Sequence, residues 1–277
     1  MIVKYENHLG DVINLNKDPY KLLVSDLLDY EPEVIENNGK LAGFNNSVIT
    51  TRNVDIDIHR NKESTARKYM NLLTEFFNTD IAKGIPGRLF INDSYMKCYI
   101  YAKEAMRWGT DIIISCEYKL ITDNPVWIQE ESFSITPSLA DSDIANSKGY
   151  PMKFPYSFAR TRKTNRIHID HYTESDFMLT IFGPTDRVQI EIAGHPYIVE
   201  YPIAEGEYMV IDSRSSAPIG KQIYIVRTNG QKENIFHYRS CEYSVFKKIP
   251  TGDILIDYPG TYGFDLTVYE ERSEPRF

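Results

Sequence analysis

The chain has 277 residues, 42% hydrophobic and 25% charged, with a net charge of -8 and a pI near 5.3. That length suits roughly two domains of about 150 residues, each able to bury its own core, and the apolar and charged shares are those of an ordinary globular protein. The acidic balance excludes a non-specific grip on nucleic acid or on an anionic membrane surface, since both attract basic proteins, so a partner is expected to be protein.

The start, "MIVKYENHLGD", has no apolar h-region. No apolar run approaches the ~20 residues of a membrane span, so the chain is expected to fold in a reducing cytoplasm. In "SVITTRNVDIDIHR", Val54, Ile56 and Ile58 alternate with Asn53, Asp55, Asp57 and His59, a period of two that predicts a half-buried strand. In "NKESTARKYMNLLTEFFNT" the apolar set Ala66, Tyr69, Met70, Leu73, Phe76 and Phe77 recurs every three to four residues. That spacing predicts a long helix, with Asn61 or Ser64 available as N-cap. Tyr69, Met70, Leu73, Phe76 and Phe77 are the predicted helix-sheet core; each contributes ~1.5 to 3 kcal/mol if buried.

The surface that this stripe covers is expected to be a sheet. "RLFI" leads through "NDS" into "YMKCYIYA", with Met96, Cys98, Ile100 and Ala102 on one face. "DIIISCEYKLI" follows, with Ile112, Ile114, Cys116, Tyr118 and Leu120 on one face. The first domain is therefore read as residues 1–122, a β-sheet or split barrel with one long helix packed on it. Cys98 and Cys116 fall at apolar positions of these runs and Cys241 stands apart, so all three are expected to stay reduced. Residues 123–162 break both periods: "TDNPVWIQEESFSI" reads as one exposed strand, and "TPSLADSDIANSKGYPMKFPYSFAR" as a linker or as an arm that lies on a partner. From 163 to 277 the texture is strand after strand, with Asn229-Gly230 as a hairpin turn signal, which predicts a β-sandwich or jelly roll. The fold class is mostly β (α+β).

Chemistry is sparse. No Walker A, G-x-S-x-G, H-E-x-x-H or EF-hand pattern occurs. In "HIDH", His168 and Asp170 share a strand face while His171 points to the other, so no metal site is expected and no cofactor either. Asp55 with Asp57, or Glu270 with Glu271, offers acid pairs for a glycoside hydrolase, but nothing in the sequence brings either pair into a cleft and a solvated strand face is the far commoner explanation. A sugar-binding sandwich would want a large flat aromatic, yet Trp108 and Trp127 both precede the second domain, which leaves tyrosines. The basic run "ARTRKTNR", Arg160 to Arg166, is read as pairing with an acidic partner or protomer.

Two sets of segments carry a resemblance. "LLDYEPEVIENNGKLAGFNNSVITTRNVDIDIHR" and "LLTEFFNTDIAKGIPGRLFI" with "MKCYIYA" resemble the N-terminal domain of the siphophage distal tail proteins of phages and prophages of Gram-positive bacteria. "DFMLTIFGP", "IAGHPYIVEYPIAEGEYMVIDS", "KKIPTGDILI" and "YEERSEPRF" resemble that family's C-terminal galectin-like domain. The likeness implies a virion protein at the distal end of the tail, assembled in the host cytoplasm and with no catalytic activity. Its N-terminal domains would build a homo-hexameric ring and its sandwich domains would project outwards. The ring would join the tail tube protein to the tail-associated or tail-tip protein, often with a receptor-binding protein at its rim. The alternative is a carbohydrate-binding adhesion module that contacts the host cell wall. Against it, the second domain lacks the long insertion that houses an added carbohydrate-binding module, which assigns adhesion to a partner.

The resemblance also bears on the terminus. "LTVYEERSEPRF" ends in charges, a proline and an aromatic, which by composition is a solvated tail. Because "ERSEPRF" recurs at the end of such proteins, the likeness implies a docked C-terminus. Glu271, Arg272, Glu274 and Phe277 are its candidate contacts, with Pro275 ending the strand.

Overall fold

The computed structural model describes residues 1–23, 26–45, 49–105, 112–137, 163–216 and 219–276. Along the chain come β1 (Val3–Glu6), β2 (Val12–Asn14), β3 (Tyr20–Leu22), β4 (Glu33–Asn37), β5 (Lys40–Asn45) and β6 (Thr50–His59). Helix α1 (Ala66–Lys83), β7 (Gly87–Ile91), β8 (Ser94–Ala105), β9 (Ile113–Thr122) and β10 (Trp127–Ile135) follow. Then come β11 (Lys163–Ile169), β12 (Asp176–Phe182), β13 (Val188–Ile192), β14 (His195–Val199), β15 (Tyr208–Asp212), β16 (Gln222–Val226), β17 (Lys232–Asn234), β18 (Gly252–Tyr258) and β19 (Phe264–Arg272). The protein is mostly β, with antiparallel sheets and one long helix.

Two compact units form. The first is residues 1–129 with 271–277, the second residues 130–270. These limits differ from the divisions at 122 and 163 read from the sequence, and burial gives the reason. In β10, Trp127 (1% exposed) belongs to the first core, whereas Ile135 belongs to the second. An alternating strand that serves two cores shows no change of period at its point of transfer. Most of the expected arm, residues 138–162, lies outside the described residues.

In the first unit the strand order is β2-β1-β7-β8-β9-β6-β3. The N-terminal half of β8 pairs with β7 and its C-terminal half with β9, with a register shift between Ile100 and Ala102. That shift lets one twelve-residue strand serve two neighbours. Alternation holds on β6, where Val54, Ile56 and Ile58 are buried, and on β9, where Ile114, Cys116, Tyr118 and Leu120 are. Ile112, expected on that face, precedes β9 and is 49% exposed.

Helix α1 lies across β8, β6 and β9. Its N-cap is Thr65, whose hydroxyl accepts from Lys68 N–H at 3.4 Å. Asn61 instead closes the preceding turn, accepting from the backbone N–H groups of Glu63 and Ser64. Gly84 ends the helix at φ 65°, a left-handed conformation that costs glycine little, and its N–H satisfies carbonyls of the last turn. Ala66, Met70, Leu73, Phe77 and Asp80 are buried, a 4-3-4-3 spacing that keeps one stripe against the sheet.

The second unit is a two-sheet sandwich. Strands β17-β16-β15-β12-β19 form one sheet and β11-β18-β13-β14 the other. Inward-facing Phe177, Leu179, Ile181, Ile190, Ile211, Ile225, Ile256 and Leu266 meet in a core sealed from solvent. The Asn229-Gly230 signal falls in the β16–β17 hairpin, where Gly230 takes φ 80° and its N–H bonds Arg227 O at 2.8 Å.

Candidate assembly surface

The largest break with globular packing in the first unit is the β4–β5 hairpin. It forms its own two-stranded sheet, and an isolated hairpin is marginal in water. Asn38 (φ 53°) and Gly39 (φ 70°) make the two-residue turn between Asn37 and Lys40, a backbone that Asn-Gly suits. Val34 pairs with Phe44 and Glu36 with Leu41, across a bulge after Ile35. Since alternate residues of β4 share a face, Val34, Leu41 and Phe44 lie together on one side, with Glu36 beside Leu41. They are 53%, 62% and 59% exposed, and Ile35 is exposed on the other side. The sequence reading quoted this stretch only for its resemblance; the Asn38-Gly39 dipeptide between two apolar runs was the signal that locates the hairpin.

A charged pocket sits at the base of the hairpin. Only part of β6 pairs with β3, so the upstream loop seals the rest of that edge: Asn53 N–H donates to Asp26 Oδ1 at 2.5 Å and Arg52 Nη1 to Leu27 O at 2.5 Å. Arg52 therefore points inward from an otherwise apolar face and is 4% exposed. Burial lowers its pKa below the ordinary guanidinium value, while Asp26 and Asp29 act to raise it. The open cavity in front of it has a volume near 590 Å³ and is rimmed by Asp26, Asp29, Tyr30 and Glu31. The nearby Asp55 carboxyl is pushed up, chiefly by desolvation and then by Asp26 and Asp57. This surface combines apolar side chains with excess negative charge, which suits recognition of a basic, aromatic polypeptide.

The predicted residues fall as follows. Met70, Leu73 and Phe77 are buried in the first core, with Tyr69 and Phe76 partly buried against it. Phe77 meets Tyr5 and Tyr118 edge-on at 5.1 and 5.4 Å. At the end of the helix the carboxylate of Asp80, fully buried, accepts from Tyr5 Oη at 2.7 Å and His8 N at 2.8 Å, and lies 2.7 Å from His8 Nδ1. Gly87 is the close neighbour: a Cβ there would stand 2.3 Å from Tyr5 Oη. The sequence reading passed over this node because its members are 75 residues apart. At the terminus, Glu271 and Arg272 are half-buried, Glu274 is exposed and Pro275 is buried. Arg276 N–H reaches Ser94 Oγ at 3.3 Å, and Phe277 lies outside the described residues. The segment thus groups with the first unit rather than with the sandwich that precedes it.

The other constellations do not converge. His168 meets Asp253 at 2.9 Å on an exposed face while His171 is buried beside Tyr172. Among the described residues no group of three or more His, Cys, Asp or Glu is placed to hold a metal ion. Asp57 accepts from Ser115 Oγ at 2.5 Å, and Glu270 is buried at 2% exposure. No described helix is long and apolar enough to cross a membrane. Trp108 and the basic run up to Arg162 lie outside the described residues.

No protein-family model matches the sequence, and no curated protein does. Solved structures do match in fold. A chain of the phage P2 baseplate in its activated conformation with Ca has TM-score 0.58 at 11% identity, over 99% of this chain and 100% of that one. A chain of the same baseplate with Sr has TM-score 0.57 at 11% identity, over 99% of each. The SPP1 Dit (gp 19.1) protein, described as a paradigm of the hub adsorption apparatus in phages infecting Gram-positive hosts, has TM-score 0.55 at 10% identity, over 98% of each. The chain therefore has, along nearly its whole length, the fold of these phage baseplate proteins.

Proposed function

We propose that this protein is a structural hub of a phage tail tip, a non-enzymatic component of the virion at the distal end of the tail. One observation carries the reading: the fold coincides with baseplate proteins over 98–99% of this chain and 98–100% of theirs. Both units and their order are therefore matched, where a shared sandwich alone would leave function open.

In this reading the first units assemble into a homo-hexameric ring and the sandwich units stand outside it. The ring joins the tail tube protein to the tail-associated protein and offers a mount for a receptor-binding protein. The hairpin supplies the physical motive, because none of the described residues covers its apolar face and a neighbouring copy would. A closed ring repeats one contact around the assembly and leaves no copy with that face bare. The test is light scattering of the purified chain with negative-stain imaging, alone and with the tube protein. About six protomers in a ring with a central channel are expected, either directly or after the tube protein is added. A protein that stays monomeric at high concentration, and also with its tail partners, overturns the proposal.

A further inference from the structure

The surface described above lacks an occupant within the described residues, and the sequence holds a segment of matching chemistry. Residues 150–162, "YPMKFPYSFARTR", contain Tyr150, Phe154, Tyr156 and Phe158 together with Lys153, Arg160 and Arg162, and no acidic residue. The hairpin offers the opposite set: Val34, Leu41 and Phe44 on one face, with Asp26, Asp29 and Glu31 at its base. Arg52 is confined behind that rim and neutralises only part of it. We infer that residues 150–162 of one copy dock on the β4–β5 hairpin and its acidic pocket in a second copy, aromatic side chains against the apolar face and basic ones against the carboxylates.

Length permits it. The stretch between Pro137 and Lys163 is 25 residues, which can span at most about 80 to 90 Å. Leaving and returning, it reaches about 40 Å, beyond the roughly 15 Å radius of gyration of a unit this size. Specificity is supplied by charge, since the net charge of -8 makes two copies repel unless basic and acidic patches are aligned. Each copy carries both halves, so the contact can run head to tail, the kind that forms a ring when its rotation closes. The inference rests on the hub reading and names the contact that would hold its ring.

The test uses the full-length chain. Equal amounts of 15N-labelled and unlabelled protein are joined with a carbodiimide, which links amines to carboxylates at contact distance. Mixed-isotope peptides joining Lys153 to Asp29 or Glu31 are expected. In parallel, R160E/R162E and D29K/E31K should each weaken self-association about tenfold, as two lost exposed ion pairs predict, and their combination should restore it. Cross-links confined to one isotope would place the segment on its own chain and overturn the inference. So would charge variants that assemble like the wild type, in which case the hub reading survives because rings still form. A wild type that gives no mixed-isotope peptides and stays monomeric both alone and with the tube protein removes both.

Discussion

The hairpin yields the most direct perturbation. Val34→Ser, Leu41→Ser and Phe44→Ser together remove its apolar face while leaving both cores intact, because none of the three belongs to either cluster. Complete burial of such a side chain is worth ~1.5 to 3 kcal/mol. With 53%, 62% and 59% still exposed, covering the remainder contributes about 1 to 1.5 kcal/mol each. The sum, about 3 to 4 kcal/mol per contact, corresponds to a more than hundredfold weaker association. In a closed ring that loss recurs at every interface, so the variant should remain monomeric where the wild type assembles. Light scattering over a concentration series reads the assembly, and a thermal melt read by circular dichroism controls for folding. A variant that melts like the wild type and also forms rings like it would show that the hairpin is not an assembly contact.

Three further outcomes follow from the packing. Leu73→Asp puts a charge at a position with no solvent exposure in the first core, a change that costs several kcal/mol; limited proteolysis should then digest the first unit and leave a resistant fragment close to residues 130–270. Asp55→Asn removes a carboxyl whose pKa is raised on folding, chiefly by desolvation. The folded chain holds that proton more tightly, so the wild type loses stability as pH rises from the unfolded carboxylate range through the folded value. The variant should accordingly melt slightly higher at pH 7, by less than about 1 kcal/mol for a half-exposed group, and the difference should vanish in acid. Deleting residues 271–277 should lower the melting transition of the first unit, where Pro275 is buried and Arg276 bonds Ser94, and a shift confined to the second transition would contradict that placement.

The division between what the sequence reveals and what it hides has a physical basis. Val54, Ile56 and Ile58 alternate because β6 has one wet side, and Met70, Leu73 and Phe77 repeat because α1 rests on one sheet, so local period reports local burial. The same logic misleads at β10, whose Trp127 and Ile135 satisfy one period while filling two different cores. Long-range polar closure leaves no periodic trace: nothing near Asp80 in sequence announces that Tyr5 and His8 will hydrogen-bond a carboxylate buried at the negative end of a helix. Arg52 is the converse case, a cation that breaks the apolar alternation of β6 because Leu27 and Asp26 come from a loop more than twenty residues upstream. The hairpin differs from all of these. Its turn is written in Asn38-Gly39 and its face in Val34, Leu41 and Phe44, but those residues join neither core among the described residues. An apolar pattern that stays exposed after folding is information about a second molecule, and for that reason its meaning emerges only when the strand it would otherwise imply is found standing alone.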